Sequence, residues 1–180
     1  MANNLVSIGK LEDAHCHYLQ ASEMQREHSI LDSMCTLQKA AYCKVYMQQY
    51  HHALKHLTTI TDTIGAMVKT DPTSLSFSVA SLRQSLEITT VLLLLLHRGS
   101  PLDSHYEQIM EKYTWESGNE DDNVLPEDLF LLVQSVVMAA QASDTDTLED
   151  LEDELFNVLD PHQMDLLHRI VRDGTVIDSS

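Results

Sequence analysis

The side chains in this 180-residue chain with most capacity for chemistry are its ten histidines and three cysteines. His52 and His56 lie four apart, which sets two imidazoles on one side of a helix and suits a shared metal ion. Ala53 stands where a zinc-protease helix carries its glutamate, so the pair has no hydrolytic base beside it. His51 and Lys55 flank the pair, and no third or fourth ligand is identifiable, so it reads as a solvated face. Glu12 and His15 form a Glu-x-x-His, the spacing by which helix bundles hold paired metal ions. Such a site needs a second motif and two more inward glutamates; the nearest second motif is Asp165 with His168. Cys16, Cys35 and Cys43 form no Cys-x-x-Cys and no disulfide framework, and a lone helical cysteine packs as a small core residue. Asn119 to Asn123 begins like a calcium loop, yet Val124 takes the place of its glycine and Phe130 that of its closing glutamate. Five glycines leave little material for a phosphate-binding loop, and no nucleophile elbow or kinase set is present. The expectation is a protein that is not an enzyme, with no catalytic residues, cofactor or metal.

Carboxylates dominate what remains. Asp and Glu total 28 against 11 Lys and Arg, a net charge of −17 that repels phosphate backbones and argues against nucleic-acid binding. The excess is one-sided. Residues 1–100 carry eight basic and eight acidic side chains, a net of zero; residues 101–180 carry three and twenty, a net of −17. The densest run is Leu148 to Leu155, where Glu149, Asp150, Glu152, Asp153 and Glu154 fan out from leucines three and four apart. That face is the candidate partner-binding surface, suited to a basic segment through salt-sensitive attraction.

The elements that must present these groups are helical throughout. Apolar residues recur every three or four positions, as in Leu11, Ala14, Tyr18 and Ala21, or Leu148, Leu151, Leu155 and Leu159. The spacing predicts eight helices, near 10–27, 30–48, 50–69, 74–98, 101–115, 126–142, 147–159 and 161–173. Asp71-Pro72, Ser100-Pro101 and Asp160-Pro161 each place a capping oxygen before a proline, while Gly99 and Gly174 suit helix ends. Val91 to Leu96 is apolar on every side, so it is expected at the centre of the assembly; an exposed partner-binding surface is the alternative. The same run is far shorter than a membrane-spanning helix, and the N-terminus shows no signal-peptide pattern, so an intracellular protein with reduced thiols is expected. Glu116 to Leu125 is polar and without apolar periodicity. The expected organisation is therefore a five-helix block at 1–116, an acidic linker at 117–125, an acidic three-helix block at 126–174 and a tail at 175–180.

Within Leu37 to Leu57, Ala40-Ala41 form a small pair, Tyr50 follows the turn, and Ala53 comes three residues later. This stretch resembles a tetratricopeptide repeat (TPR), with Leu57 as the next packing position. Lys44 replaces the usual tyrosine, and no proline closes the repeat. The resemblance implies a helical scaffold that binds peptides or proteins and performs no chemistry.

The fold expected is all-α, an array of about eight antiparallel helices as a bundle or a short TPR-like solenoid. The function expected is a non-enzymatic interaction module, an adaptor or complex subunit, cytoplasmic or nuclear, with a basic protein partner and no nucleic acid or membrane span. The alternative is a metal-binding helical bundle of ferritin-like type, carried by Glu12, His15, Asp165 and His168.

Overall fold

The computed structural model describes residues 2–7, 9–71, 73, 76–97, 104–114 and 124–177. Nine helices and no strand occur among these residues, so the all-α expectation holds. They are α1 (Ala2–Ser7), α2 (Leu11–Gln25), α3 (Ile30–Tyr46), α4 (Tyr50–Thr70), α5 (Phe77–Leu96), α6 (Ser104–Thr114), α7 (Glu127–Ala142), α8 (Thr145–Leu155) and α9 (Pro161–Ile177). The chain divides into two compact units, Met1–Leu86 and Glu87–Ser180, so the boundary lies within α5. The expected linker, apart from Val124 and Leu125, lies outside the described residues, as do Pro72, Gly99 and Ser100-Pro101.

Helix ends follow local chemistry. Ser29 accepts from the Asp32 amide and starts α3, which separates it from α2. Asp144 does the same for α8 through the Thr147 amide. Asp160 Oδ1 accepts from the His162 and Gln163 amides at 2.8 and 2.9 Å, as expected of a cap before Pro161. Two ends were not foreseen. Gln48 and Ser143 adopt left-handed backbone, at φ of 58° and 57°, and reverse the chain without glycine. Gly174, expected to end α9, lies inside it; a helix tolerates one glycine at a cost of about 1 kcal/mol.

In the first unit, α2 packs on α3 and α3 on α4. Ala14, Tyr18, Ala40 and Cys43 form a core joined by Leu5 and Val6 of α1, a helix too short to show in the periodicity. The Tyr18 hydroxyl donates to the Asn3 side chain and ties α1 down. Where α2 crosses α3, Ser22 Oγ donates to the Ser33 carbonyl at 2.9 Å and Ser33 Oγ donates to the Ser22 carbonyl at 2.8 Å. Each small hydroxyl thus satisfies the other residue's carbonyl inside a buried contact. Leu54, Leu57, Ile60 and Ile64 form the buried stripe of α4.

In the second unit α7, α8 and α9 pack together, with α6 against α7. Val91 to Leu95 are all buried, so the exposed-surface alternative is overturned. The full 20 residues of α5 are long and apolar enough to cross a membrane by composition, a length the six-residue apolar run conceals. Its buried threonine is matched by protein: Gln163 Nε2 donates to Thr89 Oγ1 at 3.2 Å. Glu87, two residues earlier on α5, accepts from Lys112 at 2.9 Å and from the Tyr113 hydroxyl at 3.0 Å. Burial, and then the Glu87 carboxylate, push the Tyr113 phenol up, while its ring stacks on Phe130 at 5.0 Å.

Replacing Leu93 or Leu57 by Ala removes a wholly buried side chain and is expected to cost roughly 2–5 kcal/mol in urea unfolding. Phe77→Ser, at an exposed site, is expected to stay within about 0.5 kcal/mol.

Candidate functional site

The apolar stripe of α2 turns Ala14 and Tyr18 inward, and the same rotation brings His15 to its edge. Glu12 and Cys16 lie three residues before and one after, and both are exposed. On α3, Lys44 is buried to 7% exposure, and its Nζ donates to both Glu12 oxygens at 3.1 and 3.0 Å. A buried ammonium needs a counter-charge, and Glu12 supplies it from the solvent side. On α4, His56 is half-buried, and its Nε2 lies 3.1 Å from His15 Nε2. The two rings tilt at 43° with centroids 5.3 Å apart. His52, one turn earlier, is exposed and meets His51 edge-on. The result is a polar cluster drawn from three helices of the first unit.

Electrostatics keep this cluster lightly protonated. The hydrogen bond from Lys44 holds the Glu12 carboxyl below its ordinary range. Burial lowers His15, with the Lys44 charge adding to it. Burial likewise lowers His56 to about 4, followed by the influence of His15, Lys44 and His52. Both rings are therefore neutral at pH 7, so one Nε2–H donates to the other Nε2. His15 Nδ1 is buried and has no hydrogen-bond partner among the described residues. A carboxylate oxygen of Glu12, a ring nitrogen of His15 and the Cys16 sulfur all lie within 4.8 Å of one another. Cys43 is buried and its thiol is pushed up to about 11, which makes it unreactive packing.

The four-ligand set expected of a ferritin-like bundle is not assembled within either unit. Glu12 and His15 belong to the first, where Lys44 and His56 engage them. Asp165 and His168 belong to the second, where Arg169 holds Asp165 at 2.7 Å and Glu152 lies 3.0 Å from His168. Glu-x-x-His and His-x-x-x-His were both visible as separate motifs. Lys44 and the cross-helix pairing of His15 with His56 were not, because nothing local links positions 15, 44 and 56.

The acidic run behaves as its spacing predicts. Leu148, Leu151 and Leu155 are buried, while Glu149, Asp150, Asp153 and Glu154 are exposed and make no ion pair among the described residues. Glu152 is half-buried and bonded to His168, which withdraws it from the open face. Beyond the end of α8, Phe156 and Val158 stand 68% and 51% exposed. The first unit also has an open trough of about 690 Å³ along the C-terminal half of α4 and the α2–α3 turn, lined by Ile30, Ala66 and Met67 with Arg26 and Asp62.

No family model matches the chain. It is similar to the 40-kDa huntingtin-associated protein of Mus musculus, at 42% identity over 93 residues, 48% of this chain and 24% of that protein. The protein of the same description from Rattus norvegicus is 41% identical over 93 residues, with the same shares. The match spans about a quarter of the length of these curated relatives.

The His56 value fixes a pH dependence. Unfolded, this ring titrates near 6.5; folded, near 4, so between those values the unfolded chain binds more protons. The stability is fully present above pH 6.5 and is lost as pH falls toward 4. After discounting for partial exposure, the expected loss is about 1 kcal/mol in urea unfolding between pH 7 and pH 5. His56→Phe is expected to flatten that slope.

Proposed function

We propose that this chain is a non-enzymatic protein–protein interaction module, an adaptor or subunit of an intracellular complex in the cytoplasm or nucleus. The observation that carries the reading is the outer face of α8, where four carboxylates make no ion pair among the described residues and exposed Phe156 and Val158 follow in the chain. Such a face suits a basic segment with an apolar anchor. Burial around the aromatic supplies affinity, while charge sets encounter rate and selectivity. The matched relatives are named for association with huntingtin, which makes a huntingtin-type protein the first partner to test. Further support comes from the α3–α4 hairpin, where buried Ala40, Ala41 and Ala53 suit the close helix approach of a TPR-like scaffold. In this reading the chain forms one segment of a longer helical assembly and carries no catalytic residue.

Affinity mass spectrometry on the wild-type chain is expected to recover a stoichiometric protein partner that is lost when Glu149, Asp150, Glu152, Asp153 and Glu154 are all changed to Ser. With the purified partner, association is expected to slow by about tenfold or more at low salt in that variant, with a shallower dependence on ionic strength. An unchanged partner list with unchanged association rates removes the docking role from α8.

A further inference from the structure

His15 is the point of departure. The ring is 7% exposed, and Nδ1 is a buried side-chain polar atom left without a partner among the described residues. Leaving a buried nitrogen unmatched costs about 1–3 kcal/mol, so an apolar side chain would serve packing better here. The other ring nitrogen is already engaged, 3.1 Å from His56 Nε2. With His15 donating its Nε2–H to His56, Nδ1 carries a bare lone pair. A metal-ligating histidine commonly has this arrangement, with its second nitrogen donating to an outer partner that fixes ring and tautomer. Independently, Glu12, His15 and Cys16 bring an oxygen, a nitrogen and a sulfur within 4.8 Å of one another on one side of α2.

We propose that Glu12, His15 and Cys16 form a binding site for one zinc ion, with His15 ligating through Nδ1 and His56 acting as the positioning residue behind it. The donor set of imidazole, thiolate and carboxylate is one that zinc accepts, at nitrogen distances near 2.0–2.1 Å and sulfur distances near 2.3 Å. Three protein ligands leave a fourth position open to water or to a partner's side chain. Binding releases the Cys16 thiol proton to solvent as the sulfur–metal bond forms. Glu12 has two oxygens, so one ligates while the other keeps its bond to Lys44, which holds the carboxylate in place. Glu12 and Cys16 are exposed, which gives the ion a route from solvent. The site does not depend on the interaction reading, since α8 lies in the other unit.

The test uses the full chain, stripped with a chelator, titrated with zinc chloride against a competing chromophoric chelator, and with cobalt(II) as a spectroscopic substitute. The expected result is one equivalent of zinc per chain and a thiolate-to-cobalt charge-transfer band. Cys16→Ser is expected to abolish the band. Cys16→Ser lies at an exposed position, whereas Glu12→Gln removes the counter-charge of buried Lys44 while keeping an acceptor for it, so the fold of both is checked by far-ultraviolet circular dichroism; each is expected to weaken zinc binding more than about 100-fold, beyond the cost of losing an outer partner. His56→Phe, which removes no ligand, is expected to keep the band and weaken binding about 10–100-fold. Zinc binding equal in the wild type and the Cys16→Ser/Glu12→Gln double variant overturns the site. So does binding that is lost on His51→Ala/His52→Ala while the cobalt form lacks the thiolate band.

Discussion

A helix that is apolar on every side has no face to offer water, and the end of α5 imposes that constraint on the chain. Val91 to Leu95 of α5 are at most 5% exposed, so protein must close around the whole circumference. The polar groups on the same helix are then drawn into the interior and have to be matched there. Thr89 is met by Gln163 of α9, and Glu87 is met by Lys112 and Tyr113 of α6. Gln163 also closes the start of its own helix, because its Oε1 accepts from the Asp160 amide at 3.1 Å. One residue thus couples the cap of α9 to the buried end of α5.

The first unit meets a different demand. Its helices are amphipathic, and their contacts are built from small residues: Ser22 against Ser33 where α2 meets α3, with Ala14, Ala40 and Ala53 nearby in the sequence of close approaches. Close approach leaves little room for long side chains, yet Lys44, His15 and His56 all lie in this region. They are accommodated by one another. Glu12 neutralises Lys44, and the two imidazoles are kept uncharged by burial, so only one buried charge requires a partner. The unmatched atom of the cluster is His15 Nδ1.

The two regions proposed to bind partners are therefore chemically distinct. The α8 face is open, acidic and edged by exposed Phe156 and Val158, features suited to a macromolecular partner. The α2 cluster is small, partly enclosed and of mixed donor type, features suited to an ion. Similarity to the 40-kDa huntingtin-associated protein covers 48% of this chain, and it bears on the first region only through that protein's description.

Helix type and the buried stripes of the longer helices were legible because both follow from a 3.6-residue period that any window of the sequence displays. The cap at Asp160 was legible for a related reason: the donors and the acceptor sit within three residues. The five acids of α8 were legible as a group since adjacent leucines fix which way they point, though not that His168 would take Glu152 aside. Left-handed turns at Gln48 and Ser143 left no glycine to mark them, because surrounding packing pays a local backbone cost the residue type does not reveal. The short α1 escaped because six residues complete fewer than two turns. Above all, the meeting of His15, Lys44 and His56 was decided by how α2, α3 and α4 pack, at separations of 29 and 12 residues along the chain. Periodicity assigns a residue to a face of its own helix; which other face it meets is settled only when the helices bury their stripes together.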